Sequence, residues 1–175
     1  MVIIDATLQN FPIFYKLFEE LMLEGYETFP GELSRYFLAR DYSSINFYSW
    51  LERNFRKILL AVEPQQQEAV PFVAKAFLVG DHTYGGVGFI SWLGVKKEFR
   101  RQGIGSLLLK TYEEYAISKK AHLLELYTSE KNVSFYQRHG FREIGRRNEG
   151  YFGQKNIIMD KPLGKFAASL ISLEN

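Results

Sequence analysis

The chain has no cysteine, so disulfides, thiolate chemistry and cysteine-built zinc sites are excluded. It has little net charge: 22 Lys and Arg against 20 Asp and Glu leave +2. A protein whose main partner is nucleic acid carries a stronger basic face, so that partner is not expected. Proline is scarce, at 5, and the chain shows no linker, internal repeat or low-complexity tract. Histidine is scarce too: His82, His122 and His139 are scattered without metal-ligand spacing, so no metal site is expected. Long apolar runs are also missing. The run Ile58 to Val62 falls far short of the ~20 residues a membrane-spanning helix needs. The N-terminus carries Asp5 and no basic leader, which does not read as a signal peptide. A soluble cytoplasmic protein is the expectation.

What the chain does have is apolar and aromatic bulk. Of 175 residues, 46% are hydrophobic and 16% aromatic, enough to bury a real core in one domain. Val2 to Ala6 reads as a short strand. Asn10 is a helix cap with Pro12 in the first turn, and Phe14, Leu17, Phe18, Leu21 and Met22 recur at helical spacing up to a C-cap at Gly25. Gly31 to Asn54 holds one or two further helices. Lys57 to Val62, Pro71 to Val79 and Val87 to Val95 read as an antiparallel meander with turns at Pro64 to Glu68 and Asp81 to Gly86.

An amphipathic helix follows Gly103, with Ile104, Leu108, Tyr112, Tyr115 and Ala116 on one stripe, and His122 to Thr128 is the next strand. A strand–helix–strand unit of this length implies a parallel, right-handed crossover. Ser129 caps a short helix that Gly140 ends. Strands near Phe141 to Arg146 and Gln154 to Lys161 close the sheet, Pro162 stops the last of them, and Lys165 to Leu173 reads as a terminal helix. The predicted class is α+β, a mixed and mostly antiparallel sheet of about six or seven strands flanked by helices, with a central strand–helix–strand crossover.

The informative stretch runs from Trp92 to Leu109. An apolar strand enters a basic, glycine-containing turn that opens directly into a helix. Backbone N–H groups at a helix start beside positive side chains bind phosphate. Three phosphate ligands compete for it. A nucleoside triphosphate loop needs Gly-Lys-Ser/Thr after its glycines, and no such run is present. A dinucleotide fingerprint needs Gly or Ala where Leu108 stands, and a turn shorter than Lys96 to Gln102, although Glu125 falls about where a ribose-binding acid would be.

The third pattern is Arg-x-x-Gly-x-Gly, here Arg100 to Gly105, preceded by the strand end Leu93-Gly94-Val95. With Asn132 to Phe141, which ends in Phe-Tyr-x-x-x-Gly-Phe, and the closing Ile158 to Leu163, the chain resembles the GNAT superfamily of N-acetyltransferases. The resemblance covers Lys57 to Leu163 firmly and the first helices loosely. It reads residues 1–175 as a single N-acetyltransferase domain, with 164–175 as a C-terminal extension.

The resemblance implies acetyl-CoA as co-substrate. Gln102, Gly103, Ile104, Gly105 and Ser106 would cradle the pyrophosphate with Arg100 and Arg101 adding charge, and Leu93 and Val95 would line the pantetheine arm. Gly94 between them permits either a strand distortion or close packing. Asn132 is either a CoA contact or an ordinary first-turn helix residue. The resemblance makes Tyr136 the acid that protonates the leaving thiolate; the plainer reading is a core aromatic. Glu125 is the candidate base, with water as the alternative. The acceptor is a small-molecule, peptide or protein amine, bound by Gly25 to Pro30, Arg35 to Trp50 and Asn148 to Gln154, with Glu24, Glu27 and Glu32 available to attract a cation. Two other classes stay open: a non-catalytic acyl-CoA-binding module and a dinucleotide-binding domain. Members of the family often form homodimers, and the aromatic content is compatible with that.

Overall fold

The computed structural model describes residues 1–24, 31–64, 72–81 and 85–166, the side chain of Phe152 excepted. The expected C-cap at Gly25, the Gly25 to Pro30 segment, most of the turns at 65–71 and 82–84 and the terminal helix beyond Phe166 lie outside the described residues. The elements are β1 (Val2–Asp5), α1 (Phe11–Leu23), α2 (Gly31–Ala39), α3 (Ser44–Glu52), β2 (Arg56–Pro64), β3 (Phe72–Asp81), β4 (Val87–Val95), α4 (Ile104–Ser118), β5 (Leu123–Thr128), α5 (Glu130–Arg138), β6 (Arg142–Arg147) and β7 (Asn156–Pro162). The strands form one seven-stranded sheet in the order β1-β2-β3-β4-β5-β7-β6. β4 and β5 run parallel, as a helical crossover demands, while β1/β2, β5/β7 and β6/β7 are antiparallel.

The chain forms two compact units, Met1–Gly80 with Trp92–Tyr112, and Asp81–Ser91 with Glu113–Asn175. In the first, α1, α2 and α3 bury an aromatic core against the strands. Phe14, Phe18, Phe37, Phe47 and Phe77 are all but inaccessible. Phe18 meets Phe47 edge-on at 4.7 Å, and Phe14 meets Phe77 at 5.7 Å. Edge-to-face contacts suit the ring quadrupole, and each fully buried ring stabilises the fold by about 2–3 kcal/mol. Segment Gly31 to Asn54 therefore resolves into two helices, α2 and α3, as its apolar spacing allowed. The Asn10 side chain does not cap α1. It faces back along the chain, accepting from Thr7 N–H at 2.7 Å and donating to the Asp5 carbonyl at 3.2 Å. It closes the turn between β1 and α1 instead.

In the second unit the strands alternate in burial. Leu124, Leu126 and Thr128 of β5 are buried, as are Ile157 and Met159 of β7, and the register pairs Leu126 with Met159 and Thr128 with Ile157. These residues share the face on which the helices lie. Lys161, on that face, pairs with Glu113 of α4 at 2.6 Å, and Arg146 of β6 pairs with Glu130 of α5 at 2.9 Å. Glu125 and Tyr127 point to the opposite face. α5 stops where Gly140 takes a φ of +84°, and the Phe141 N–H bonds back to the Tyr136 carbonyl at 3.1 Å.

Candidate active site

The basic turn lies in the first unit and is built as the sequence suggested, from a strand end to a helix start. β4 ends at Val95. A short 3-10 turn spans Lys97–Phe99, and α4 begins at Ile104. Two residues between them are left-handed, Arg101 at φ +61° and Gly103 at φ +79°. Left-handed residues occur in turns whose successive N–H groups form anion-binding concavities. The Leu107 N–H bonds to the Gly103 carbonyl at 3.0 Å, so Ile104, Gly105 and Ser106 occupy the first turn of α4. Gly103 has open space around its Cα, so its role here is conformational.

Side chains hold this turn in shape. The Arg100 Nε donates to the Val95 carbonyl at 3.0 Å, and the Gln102 amide donates to the Glu98 carbonyl at 3.0 Å. The Lys96 ammonium bonds both carboxylate oxygens of Glu20 on α1, at 2.7 and 2.9 Å. The Lys75 ammonium sits 4.5 Å from the centre of the Phe99 ring. Arg101 is exposed, and its backbone conformation is one that a non-glycine residue rarely adopts. No sequence signal marks Glu20 or Lys75 as partners of the turn, because both are far from it along the chain.

Leu93 and Val95 are half-buried on β4. Of the two readings of Gly94, the structure supports close packing. A Cβ there would lie 2.8 Å from the Phe77 ring and 2.9 Å from Leu21 Cδ1.

The remaining candidates lie in the second unit. Tyr136 is 8% exposed on α5, with its ring edge-on to Phe135 at 5.0 Å and to Phe141 at 5.7 Å. Burial raises its pKa above the ordinary phenol value, so the hydroxyl keeps its proton. Asn132 is exposed in the first turn of α5, which Ser129 precedes, and its own N–H bonds to the Ser129 carbonyl at 3.0 Å.

Glu125 stands on β5 between Phe89 of β4 and Asp160 of β7, with which it is in register. Its carboxylate makes no hydrogen bond or ion pair among the described residues. Asp160, 7% exposed, is instead held by Arg142 of β6, with Nε to Oδ1 at 2.7 Å and a second nitrogen to Oδ2 at 3.4 Å. Two residues along β5 from Glu125, Tyr127 packs against Phe89 at 5.2 Å and Tyr151 at 5.4 Å, and the Arg147 guanidinium lies 5.2 Å from its ring centre. Tyr151 falls in the Asn148 to Gln154 stretch expected to meet the acceptor, whereas Asp160, Arg142 and Arg147 were not candidates on sequence. Among the described residues no three His, Cys, Asp or Glu side chains are grouped to hold a metal ion, and no helix is long and apolar enough to cross a membrane.

The chain thus combines a mostly antiparallel sheet, one parallel β–α–β step and, at the start of that helix, a basic turn with two left-handed residues. Residues 15–141 match the model of the Acetyltransferase (GNAT) family, and the chain belongs to that family. The dinucleotide reading is thereby replaced. The chain resembles the PaiA N-acetyltransferase of Thermoplasma acidophilum, solved with coenzyme A, with a TM-score of 0.72 and 18% identity over 93% of this chain and 99% of that one. It resembles the ribosomal-protein-alanine N-acetyltransferase of Brucella melitensis with a TM-score of 0.68 and 19% identity over 93% and 100%. It is also 30% identical over 93 residues to the tRNA(Met) cytidine acetyltransferase TmcA of Aeropyrum pernix. That match takes in 49% of this chain, which spans 13% of the relative's length. The acetyl donor of this family is acetyl-CoA, and coenzyme A is bound in solved neighbours of this fold.

Proposed function

We propose that the protein moves the acetyl group of acetyl-CoA to a primary amine by direct attack, acting as one N-acetyltransferase domain in the cytoplasm. The observation that carries this reading is the left-handed pair Arg101 and Gly103 immediately ahead of α4, an anion cradle at the start of the crossover helix. Gln102 to Ser106 take the pyrophosphate in this reading, with Arg101 supplying charge and Arg100 bracing the turn through Val95. The backbone of Leu93 and Val95 pairs with the pantetheine arm, and Asn132 contacts it from α5.

The neutral amine attacks the thioester carbonyl carbon. A C–N bond forms, and the oxyanion of the tetrahedral intermediate is met by a backbone N–H near Leu93. The C–S bond then breaks, and the Tyr136 hydroxyl donates its proton to the departing thiolate. Burial suits Tyr136 to this, because it keeps the phenol protonated until a strong base appears beside it. The substrate ammonium gives its first proton, before attack, to Glu125, whose carboxylate is uncommitted, or to water, and the second proton, shed as the nitrogen becomes an amide, restores the Tyr136 phenol.

The test is release of free CoA from acetyl-CoA on mixing with a panel of primary amines. Release that depends on the amine, with mass gain of one acetyl group on the acceptor, is the expected result. Acetyl-CoA binding with no release from any amine would favour a binding module and sink the catalytic reading.

A further inference from the structure

The edge strand β6 carries a bulge. Arg142 pairs with Asp160 and Glu143 with Met159, but the next pairs are Gly145 with Ile158 and Arg147 with Asn156, so Ile144 is extra. In a regular strand Arg142 and Arg147 would face opposite ways, because successive side chains alternate. One inserted residue reverses the alternation beyond it. Both arginines therefore share the face of Glu125, Tyr127 and Asp160, while Glu143 and Arg146 share the face of α5, where they pair with each other and Arg146 also pairs with Glu130.

The two arginines on that face differ in what they hold. Arg142 is engaged with Asp160, and each neutralises the other. Arg147 lies against the Tyr127 ring and forms no ion pair among the described residues. An arginine stacked on an aromatic keeps the edge of its guanidinium available for a bidentate carboxylate. The face thus offers one uncommitted carboxylate, Glu125, and one uncommitted guanidinium, Arg147. Glu125 and Tyr127 are two residues apart on β5, about 6–7 Å along the strand. The Arg147 guanidinium lies a further 5.2 Å from the centre of the Tyr127 ring, and a peptide with its α-amine at Glu125 reaches it with a carboxylate within its first few residues.

We propose that Arg147 determines acceptor specificity. It binds a carboxylate of the acceptor whose amine is received at Glu125, so the enzyme selects acidic amine acceptors: amino acids or peptide N-termini with a carboxylate close to the amine. This rests on the amine-acetylating reading above. The bulge at Ile144 is the structural device that aims Arg147 at the site.

The experiment measures kcat/KM from CoA release for peptides differing only in an acidic, neutral or lysine residue beside the N-terminal amine, with free aspartate and glutamate in separate arms. Wild type, Arg147→Gln, Arg147→Glu and the opposite-face control Arg146→Gln are compared. Isothermal calorimetry of the acidic peptide in the presence of CoA reads binding without turnover.

Wild type is expected to favour the acidic over the neutral acceptor by about tenfold or more, the scale of one charge-assisted hydrogen-bonded contact. Arg147→Gln brings that ratio near one, chiefly through KM, and Arg147→Glu turns the preference toward lysine. Arg146→Gln keeps the wild-type ratio. A loss of stability alone would lower all acceptors together and would not invert the order. Turnover without an acidic preference, or a preference that survives Arg147→Gln, overturns the proposal and leaves amine acetylation standing. If no acceptor releases CoA, the acetylation reading falls. Calorimetry then decides: acidic-peptide binding abolished by Arg147→Gln supports the anion site, and absent or unchanged binding overturns it.

Discussion

The ammonium of Lys96 bonds both carboxylate oxygens of Glu20, at 2.7 and 2.9 Å, and so ties α1 to the residue where β4 becomes the basic turn. Both side chains are only partly exposed, at 21% and 36%, so the pair is screened less than a surface ion pair. In the proposed role of the turn its value is geometric, since N–H groups aimed before the ligand arrives lower the cost of binding. Replacing Lys96 with Met is expected to weaken CoA binding about three- to tenfold and to lower stability by about 1 kcal/mol. Titration with CoA, alongside a melting curve, checks both. Unchanged affinity would show that the turn is held by its own hydrogen bonds alone.

Tyr136→Phe removes the proposed proton donor and keeps the ring that packs on Phe135 and Phe141. Turnover should drop by about 100-fold or more, the usual scale of general acid catalysis, with CoA affinity within twofold of wild type. Steady-state kinetics and a CoA titration separate the two. Retained turnover would return Tyr136 to the core as a plain aromatic.

Glu125→Gln tests where the amine proton goes. If the carboxylate takes it, turnover falls roughly 10- to 1,000-fold while the fold is kept, because Glu125 has no ion-pair partner among the described residues to lose. Full turnover in the variant would assign the proton to water. Stopped-flow acetylation at saturating acceptor is the measurement.

Two glycines are sites of close approach. At Gly80 a Cβ would lie 2.3 Å from the buried Tyr112 ring, and at Gly94 it would meet Phe77 and Leu21 below 3.0 Å. Gly80→Ala and Gly94→Ala should each destabilise the protein by about 1–3 kcal/mol through overpacking, read as a drop in denaturation midpoint at constant m-value. Gly145→Ala, with its nearest neighbour at 3.8 Å, serves as the comparison and should cost far less.

His139 sets a pH dependence of stability. Burial, then the nearby Lys161 and Arg138, hold its pKa below the ordinary value of about 6.5, with Glu113 opposing. The folded state therefore favours neutral imidazole. The corresponding stability is fully present above about pH 6.5 and is lost as pH falls through the lowered folded-state value. Denaturation midpoints should decline as pH falls below about 6.5, and His139→Asn should flatten that decline. A decline of equal slope in the variant would assign it to other groups.

Much of the architecture follows from local pattern. The apolar period of α1, the alternation of Leu124, Glu125, Leu126 and Tyr127, and the stop at Gly140 each state a local preference that the fold keeps. The strand–turn–helix at Val95 to Ile104 is legible for the same reason, since a turn at a helix start is built from neighbours in sequence. Arg147 was not legible, because which face it takes depends on a bulge that exists only when β6 pairs with β7. Glu20 and Lys75 were hidden for a related reason: their partners lie across the fold, and single charged residues on a helix or strand look like solvated surface.

The sequence by itself determined the elements, the family motifs and the chemistry on offer: a basic glycine turn, a tyrosine in α5 and a glutamate on β5. Only tertiary structure decided which charges cancel each other across strands and which do not. Asp160 and Arg142 cancel each other across two strands, while Glu125 and Arg147 are left without ion-pair partners among the described residues. Pairing of that kind is a property of strand register, and register forms only when distant segments pack.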